Sequence, residues 1–117
     1  MYLKAQDLAK IGTLFLEEGK WKDRQVVPKD WVRSSISPKA TNLYPEESID
    51  VGYGYQWWTE RYENGTHLFS ANGYGGQYLM VVPDENIFVV FNGWNINEQP
   101  EKSTFDALFN SILPALE

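Results

Sequence analysis

The chain has 117 residues, of which 43% are hydrophobic and 15% aromatic, and its formal net charge is −6. This length predicts one domain, residues 1–117, and the apolar content predicts a real hydrophobic core and argues against disorder. The acidic excess disfavours a nucleic-acid partner, and the absence of cysteine excludes disulfides, cysteine metal ligands and a cysteine nucleophile.

Two helices are predicted in the first third of the chain. Leu8, Ile11 and Phe15 share one face of a helix over residues 7–18, and Gly19 is expected at the C′ position that ends it. Lys4 stands where a Ser or Thr cap is expected, so the start of this helix is poorly capped.

The second helix begins at Pro28, after a polar turn at residues 21–25, and ends at Pro38. Its apolar residues Trp31, Val32 and Ile36 are expected to face inward. A loop is predicted over residues 40–50.

From Val51 the hydrophobic period changes to two, which predicts a strand with alternate side chains on opposite faces. One face of this strand carries Tyr53, Tyr55 and Trp57, and the other carries Gln56, Trp58 and Glu60. Its aromatic residues either pack across the sheet or form the wall of a ligand cleft.

Asn64-Gly65 predicts a two-residue hairpin turn into a strand over residues 67–71. Further strands are predicted at residues 77–82 and, after a turn at 83–86, at residues 87–91, where the near-continuous apolar run is typical of a strand covered on both faces.

A last helix is expected to begin near Ser103 with a capping box to Asp106, and Pro114 is expected to limit it. Its apolar stripe consists of Phe105, Leu108, Phe109, Ile112 and Leu113. The order of elements predicts an α+β fold: an antiparallel sheet of three to four strands with the N-terminal and C-terminal helices packed on it.

Nucleophilic hydrolysis needs an activated Ser, Thr or Cys with a base in reach, and the chain offers no such pair. It contains neither S-x-x-K nor G-x-S-x-G, and its one histidine, His67, is interpreted as a solvated residue on a hairpin strand. Tyr62-Glu63-Asn64 has the Y-x-N spacing but runs into the Asn-Gly turn, and is interpreted as a turn. With one His and no carboxylate pair at ligand spacing, no metal or cofactor is expected. No apolar run approaches the ~20 residues that cross a bilayer, and no signal peptide is visible.

The segment from Ser70 to Gln77 concentrates three glycines in a turn that leads into an apolar strand. Glycine allows positive φ and close approach of a ligand to the main chain. Two interpretations follow: a tight turn that needs glycine for backbone reasons alone, or backbone N–H groups placed to hold a developing oxyanion. In the second, Asn72 and Gln77 add hydrogen bonds to an amide or carboxylate.

Several short motifs, in their order and spacing, resemble the C-terminal portion of bacterial serine beta-lactamase-related hydrolases. This group includes class C beta-lactamases, D-alanyl-D-alanine carboxypeptidases and related esterases. The resemblance covers nearly the whole chain, and the motifs that carry it are Asp7–Gly12, Gly19–Trp21, Pro28–Val32, Tyr53–Trp58, Gly73–Gln77, Val81–Asp84 and Ile87–Phe91.

The resemblance implies a beta-lactamase-like α/β domain, in which Ala71-Asn72-Gly73 aligns with the family's K-T-G or H-x-G. The backbone N–H of Tyr74 then becomes an oxyanion donor, and Asn72, Gly73, Gly75 and Gln77 become substrate-binding residues. Ala71 replaces the usual cation or imidazole, which makes true beta-lactamase activity doubtful. The family's S-x-x-K serine and lysine and its Y-x-N tyrosine precede the region matched here, so nucleophile and base are expected to be missing.

Two functions from different classes follow. The first is the C-terminal part of a serine hydrolase that acts on a small-molecule or peptide amide or ester; the chain alone is then inert. The second is a non-catalytic binding or interaction module on the same fold. A sheet separated from the rest of a larger fold exposes apolar surface, so the isolated chain is expected to form a homodimer. The residues do not identify a compartment; only the resemblance suggests the cell envelope or export.

Overall fold

The computed structural model describes residues 3–93 and 103–116, and within them the chain forms a five-stranded antiparallel sheet between two helical layers. Each strand of this sheet pairs with the next one along the chain. The strands are β3 (Asp50–Tyr53), β4 (Trp58–Arg61), β5 (His67–Gly73), β6 (Gln77–Val82) and β7 (Ile87–Asn92), and a separate small hairpin consists of β1 (Lys20–Trp21) and β2 (Arg24–Gln25). The α+β prediction is confirmed, with one strand more than the sequence indicated.

The extra strand arises because the predicted strand from Val51 is interrupted at Gly54. The Gly54 N–H donates to the Trp57 carbonyl at 2.8 Å, which closes a turn, and Gln56 adopts a φ of 65°. The alternating pattern therefore spans two strands and a turn. The prediction of one continuous face was wrong because a turn within the segment leaves the alternating pattern of residue types in the sequence unchanged.

The side chains of the three aromatic residues that were predicted on one face lie in different environments. Tyr53 packs edge-on against Trp58 with ring centroids 4.9 Å apart, whereas Tyr55 stacks on Trp31 at 5.5 Å. Trp57 is 6% exposed and lies in the core. Trp31 itself is 56% exposed, so its predicted inward orientation was wrong: its ring covers Tyr55 at the surface instead of entering the core.

The first helix, α1 (Ala5–Leu16), covers one face of the sheet. Lys4 provides no side-chain cap, as predicted. The helix ends in a Schellman arrangement, in which the Gly19 N–H donates to the Leu14 carbonyl and the Glu18 N–H to the Phe15 carbonyl. Glu18, with a φ of 50°, therefore takes the C′ position that was predicted for Gly19. Gly19 takes the next position, C″.

The second helix, α2 (Lys29–Ile36), follows Pro28 and buries Val32 to 1% exposure. Together α1 and Ile36 enclose the first core cluster on this face of the sheet. Its buried members are Trp57, Phe69, Leu79 and Val81.

The opposite face carries the second core cluster, which the C-terminal helix covers. The predicted capping box between Ser103 and Asp106 is present, and α3 (Thr104–Ala107) follows it. The helix continues as a π-helical turn (Leu108–Ile112) and a 3₁₀ turn (Leu113–Leu116), so Pro114 does not end it. All five predicted stripe residues lie in this cluster.

Strand β7 is half-buried along its length and is covered on both faces, as predicted. Phe88 and Val90 face the α1 layer, and Ile87, Val89 and Phe91 face the C-terminal helix. Within the described residues, β3 and β7 are the edge strands. Dimerisation through such an edge stays a prediction.

Candidate active site

The glycine-rich segment forms the tight loop that joins β5 to β6. Gly73 pairs with Gln77 as the last rung of the ladder, and Tyr74, Gly75 and Gly76 make the loop itself. Gly75 and Gly76 have φ values of 86° and 83°, a region that side chains disfavour. The Tyr74 residue is 77% exposed. The structure therefore places the proposed oxyanion donor in an exposed loop at one end of the sheet.

A glycine that sequence reasoning missed fixes the position of this loop. The Gly93 N–H, just after β7, donates to the Gly76 carbonyl at 3.1 Å. A Cβ at position 93 would lie 2.7 Å from the carbonyl oxygens of both Gly75 and Gly76. The signal in the sequence is a glycine directly after an apolar strand, which is uninformative until the pairing of β6 with β7 is known.

Gly93→Ala is expected to displace the loop and to destabilise the chain by about 2 kcal/mol, because both contacts are with rigid backbone. Backbone amide shifts in a ¹⁵N spectrum should change most at residues 74–76. Gly73→Ala is the matched control, since its added Cβ meets only Gln77, the nearest atom being a side-chain carbon at 3.1 Å. Equal effects of the two substitutions would contradict the proposed role of Gly93.

Asn72, which directly precedes Gly73 in β5, also lines a cleft among the described residues. Its side chain is on the face of the sheet that also carries Tyr78 and Trp58, and it lines a cleft of about 440 Å³ beside the C-terminal helix. The cleft is lined by Tyr44, Glu47, Ile49, Val51, Trp58, Glu60, Tyr62, Asn72, Phe105, Asp106 and Phe109. Gly73, Tyr74, Gly75 and Gln77 do not line this cleft, although Gly73 directly follows Asn72 in β5.

The floor of the cleft holds a buried carboxyl group. Glu60, on β4, is 8% exposed, and the Tyr62 hydroxyl donates to its Oε2 at 2.5 Å. Burial raises the pKa of Glu60; the hydrogen bond from Tyr62 lowers it and the charge of Glu47 raises it. Burial and the contact with Glu60 also raise the pKa of Tyr62.

Glu60→Gln is expected to stabilise the chain at pH 7, on the order of 1 kcal/mol, because the amide keeps an acceptor for Tyr62 without a buried charge. The folded chain binds the Glu60 proton more tightly than the unfolded chain does. The penalty is therefore absent below the ordinary pKa of 4.5 and develops as the pH rises through the raised value. The urea midpoints of the two proteins should therefore converge as the pH falls below 4.5; a constant difference between them would contradict this account.

The Y-x-N segment is a hairpin turn, as predicted. The Asn64 side chain accepts a hydrogen bond from the Thr66 N–H at 2.9 Å, and Gly65 has a φ of 88°. The Tyr62 N–H donates to the Thr66 carbonyl, so the loop contains three residues and not two.

His67 is half-buried at the start of β5, not fully solvated as predicted, because it sits opposite Arg61 inside the sheet. Burial and the charge of Arg61 lower its pKa. Across residues 3–93 and 103–116, no hydrogen bond joins His67 to a serine, and no three metal-ligating side chains form a group that could hold an ion. In the same part of the chain, no helix has the length and apolar character needed to cross a bilayer.

Comparison with known proteins gives one family. The family model described as Beta-lactamase matches residues 1–109. An uncharacterised protein of Alkalihalophilus pseudofirmus is 32% identical over 109 residues, which cover 84% of this chain and 32% of that protein. A 6-aminohexanoate-dimer hydrolase of Paenarthrobacter ureafaciens is 27% identical over 115 residues, which cover 93% of this chain and 28% of that enzyme. The chain thus spans about a third of the length of these curated relatives.

Proposed function

The chain belongs to the beta-lactamase family, and we propose that it supplies the oxyanion loop and one cleft wall to a serine hydrolase that cleaves an amide or ester through an acyl-enzyme. The observation that carries this proposal is the β5–β6 loop, in which Tyr74 is exposed between the strand end and two glycines with positive φ. The similarity to a 6-aminohexanoate-dimer hydrolase supports an amide among the substrates.

In the proposed reaction, a serine outside residues 1–117 attacks the carbonyl carbon of the substrate, and its proton passes to a base that also lies outside these residues. The carbonyl oxygen becomes an oxyanion, which the Tyr74 N–H stabilises by a hydrogen bond. The leaving group departs with a proton as the acyl-enzyme forms, and water then releases the acyl group. Asn72, Gly73, Gly75 and Gln77 border the substrate in this proposal.

Ala71 restricts the substrates that the proposed enzyme can bind. Its methyl group packs against the first core cluster, so this position offers no cation to a substrate carboxylate. We therefore propose that the substrate is held without a charge contact at this position, in contrast to a beta-lactam whose carboxylate pairs with a lysine.

Covalent labelling tests the proposal. The purified 117-residue chain should neither hydrolyse nitrocefin or a p-nitrophenyl ester above a buffer blank nor gain mass with a fluorophosphonate, because an oxyanion hole without a nucleophile gives little catalysis. The protein encoded by the complete gene should gain one adduct, on a serine outside these residues. Turnover that co-purifies with the 117-residue chain would overturn the proposal.

A non-catalytic binding module is the second candidate, and the cleft of about 440 Å³ favours it, because this volume suits a small ligand. The complete coding sequence distinguishes the two candidates. Codons for S-x-x-K and Y-x-N outside residues 1–117 favour the hydrolase, and a complete gene without them favours the module.

A further inference from the structure

The cleft beside the C-terminal helix has a composition that matches one ligand chemistry. Its walls are aromatic: Trp58 stacks with Tyr44 at 6.4 Å, and Tyr62 packs against Phe109 at 4.5 Å. Phe105 completes the apolar lining. The faces of aromatic rings attract cations. Apolar walls also keep water out of the cleft, which strengthens the attraction between opposite charges inside it.

Among residues 3–93 and 103–116, the charged groups that line the cleft are all acidic. Glu60 lies at the floor, Glu47 comes from the loop before β3, and Asp106 comes from the first turn of α3. The Asp106 carboxylate already accepts the Ser103 N–H in the capping box. The ion pairs within the described part of the chain use Asp7 and Glu18, and none of them involves Glu47 or Glu60.

The burial of the Glu60 carboxyl group favours the binding of a ligand cation. Glu60 is 8% exposed, its Oε2 accepts from Tyr62, and its Oε1 receives no hydrogen bond from the described residues. Because Oε1 is not among the fully buried unpaired atoms of these residues, it retains accessible surface. A carboxylate is costly to bury unless it is paired. A ligand cation in the cleft would provide that pair.

We propose that this cleft binds small organic ammonium compounds, with Glu60 as the counter-charge and the rings of Trp58 and Tyr62 around the alkyl or methyl groups. The volume of about 440 Å³ accommodates a ligand of this size. Asn72 lines this cleft and also borders the substrate in the proposed hydrolase. Binding of an ammonium compound to the 117-residue chain requires neither the Tyr74 N–H nor a nucleophile, so failure of this proposal and failure of the proposed function can be distinguished.

Binding to the 117-residue chain is measured by calorimetry and by ¹⁵N shift changes, with hexylamine and hexyltrimethylammonium as probes and hexanol and hexanoate as controls of matched length. Both cations should bind, with shift changes around Trp58 and Tyr62. The alcohol should bind about tenfold more weakly and the carboxylate not detectably. Equal affinity for hexanol, or no binding of either cation, would overturn the proposal.

Variants assign the counter-charge. Glu60→Gln should weaken hexylamine binding about tenfold, whereas Glu63→Gln, on the exposed hairpin outside the cleft, should leave it unchanged. Asn72→Lys places a competing ammonium group in the cleft from an exposed position, where folding tolerates it, and should abolish binding. Unaltered affinity in Glu60→Gln or in Asn72→Lys would overturn the assignment.

Discussion

Gly54→Ala is expected to destabilise the chain by about 3 kcal/mol. The added Cβ would lie 2.1 Å from the Ser35 carbonyl oxygen and 3.0 Å from that of Ser37. Both are backbone atoms at the end of α2, and the Tyr55 N–H donates to the same Ser35 carbonyl at 2.8 Å. The substitution must therefore separate α2 from the β3–β4 turn.

Urea unfolding measures the effect, as a fall in the midpoint at constant slope. Gly65→Ala is the control: its φ of 88° is strained for alanine, but nothing lies within 4 Å of the added Cβ. It should cost about 1 kcal/mol. If Gly54→Ala proved as stable as Gly65→Ala, the close packing of α2 on the turn would be refuted.

Phe69→Ala is the second large effect, with an expected cost of about 3 to 5 kcal/mol. Phe69 is 1% exposed in the centre of β5, and its ring meets Trp57 edge-on at 5.2 Å. Phe15 of α1 lies 6.3 Å away, so the substitution opens a cavity between the sheet and the helix.

Thermal and urea unfolding of three variants check this expectation. Phe69→Leu keeps most of the volume and should cost less than half as much as alanine. Val26→Ala, at a side chain that is 51% exposed, should change stability by less than about 0.5 kcal/mol. A cost for Phe69→Ala close to that of Val26→Ala would mean that this cluster does not hold the fold together.

Local sequence patterns predicted the elements whose signals are local. The Ser103–Asp106 capping box, the apolar stripe of the C-terminal helix and the bounds of β6 depend on neighbouring residues, and the structure confirms each of them. The turn at Gly75-Gly76 could also be predicted from the sequence, because consecutive glycines favour positive φ.

The remaining features depend on contacts between distant segments. The break at Gly54 exists because the end of α2 docks there, and nothing within residues 51–60 records that contact. Trp31 lies outside the core because Tyr55 offers it a surface partner. The role of Gly93 and the cleft at Glu60 depend on the pairing of strands, which brings together residues that are far apart in the sequence. The sequence alone does not indicate which of these side chains share a face of the sheet.

The central claim concerns the Tyr74 main-chain N–H, and removing that group tests it most directly. In the protein encoded by the complete gene, Tyr74→Pro deletes the N–H, whereas Tyr74→Ala deletes the side chain and keeps it. Acylation by a p-nitrophenyl ester should slow by about 100-fold in the proline variant and by less than about threefold in the alanine variant. The unfolding midpoints of both variants separate an effect on acylation from an effect on the fold. Equal acylation rates in the proline variant and the unaltered protein would contradict the account.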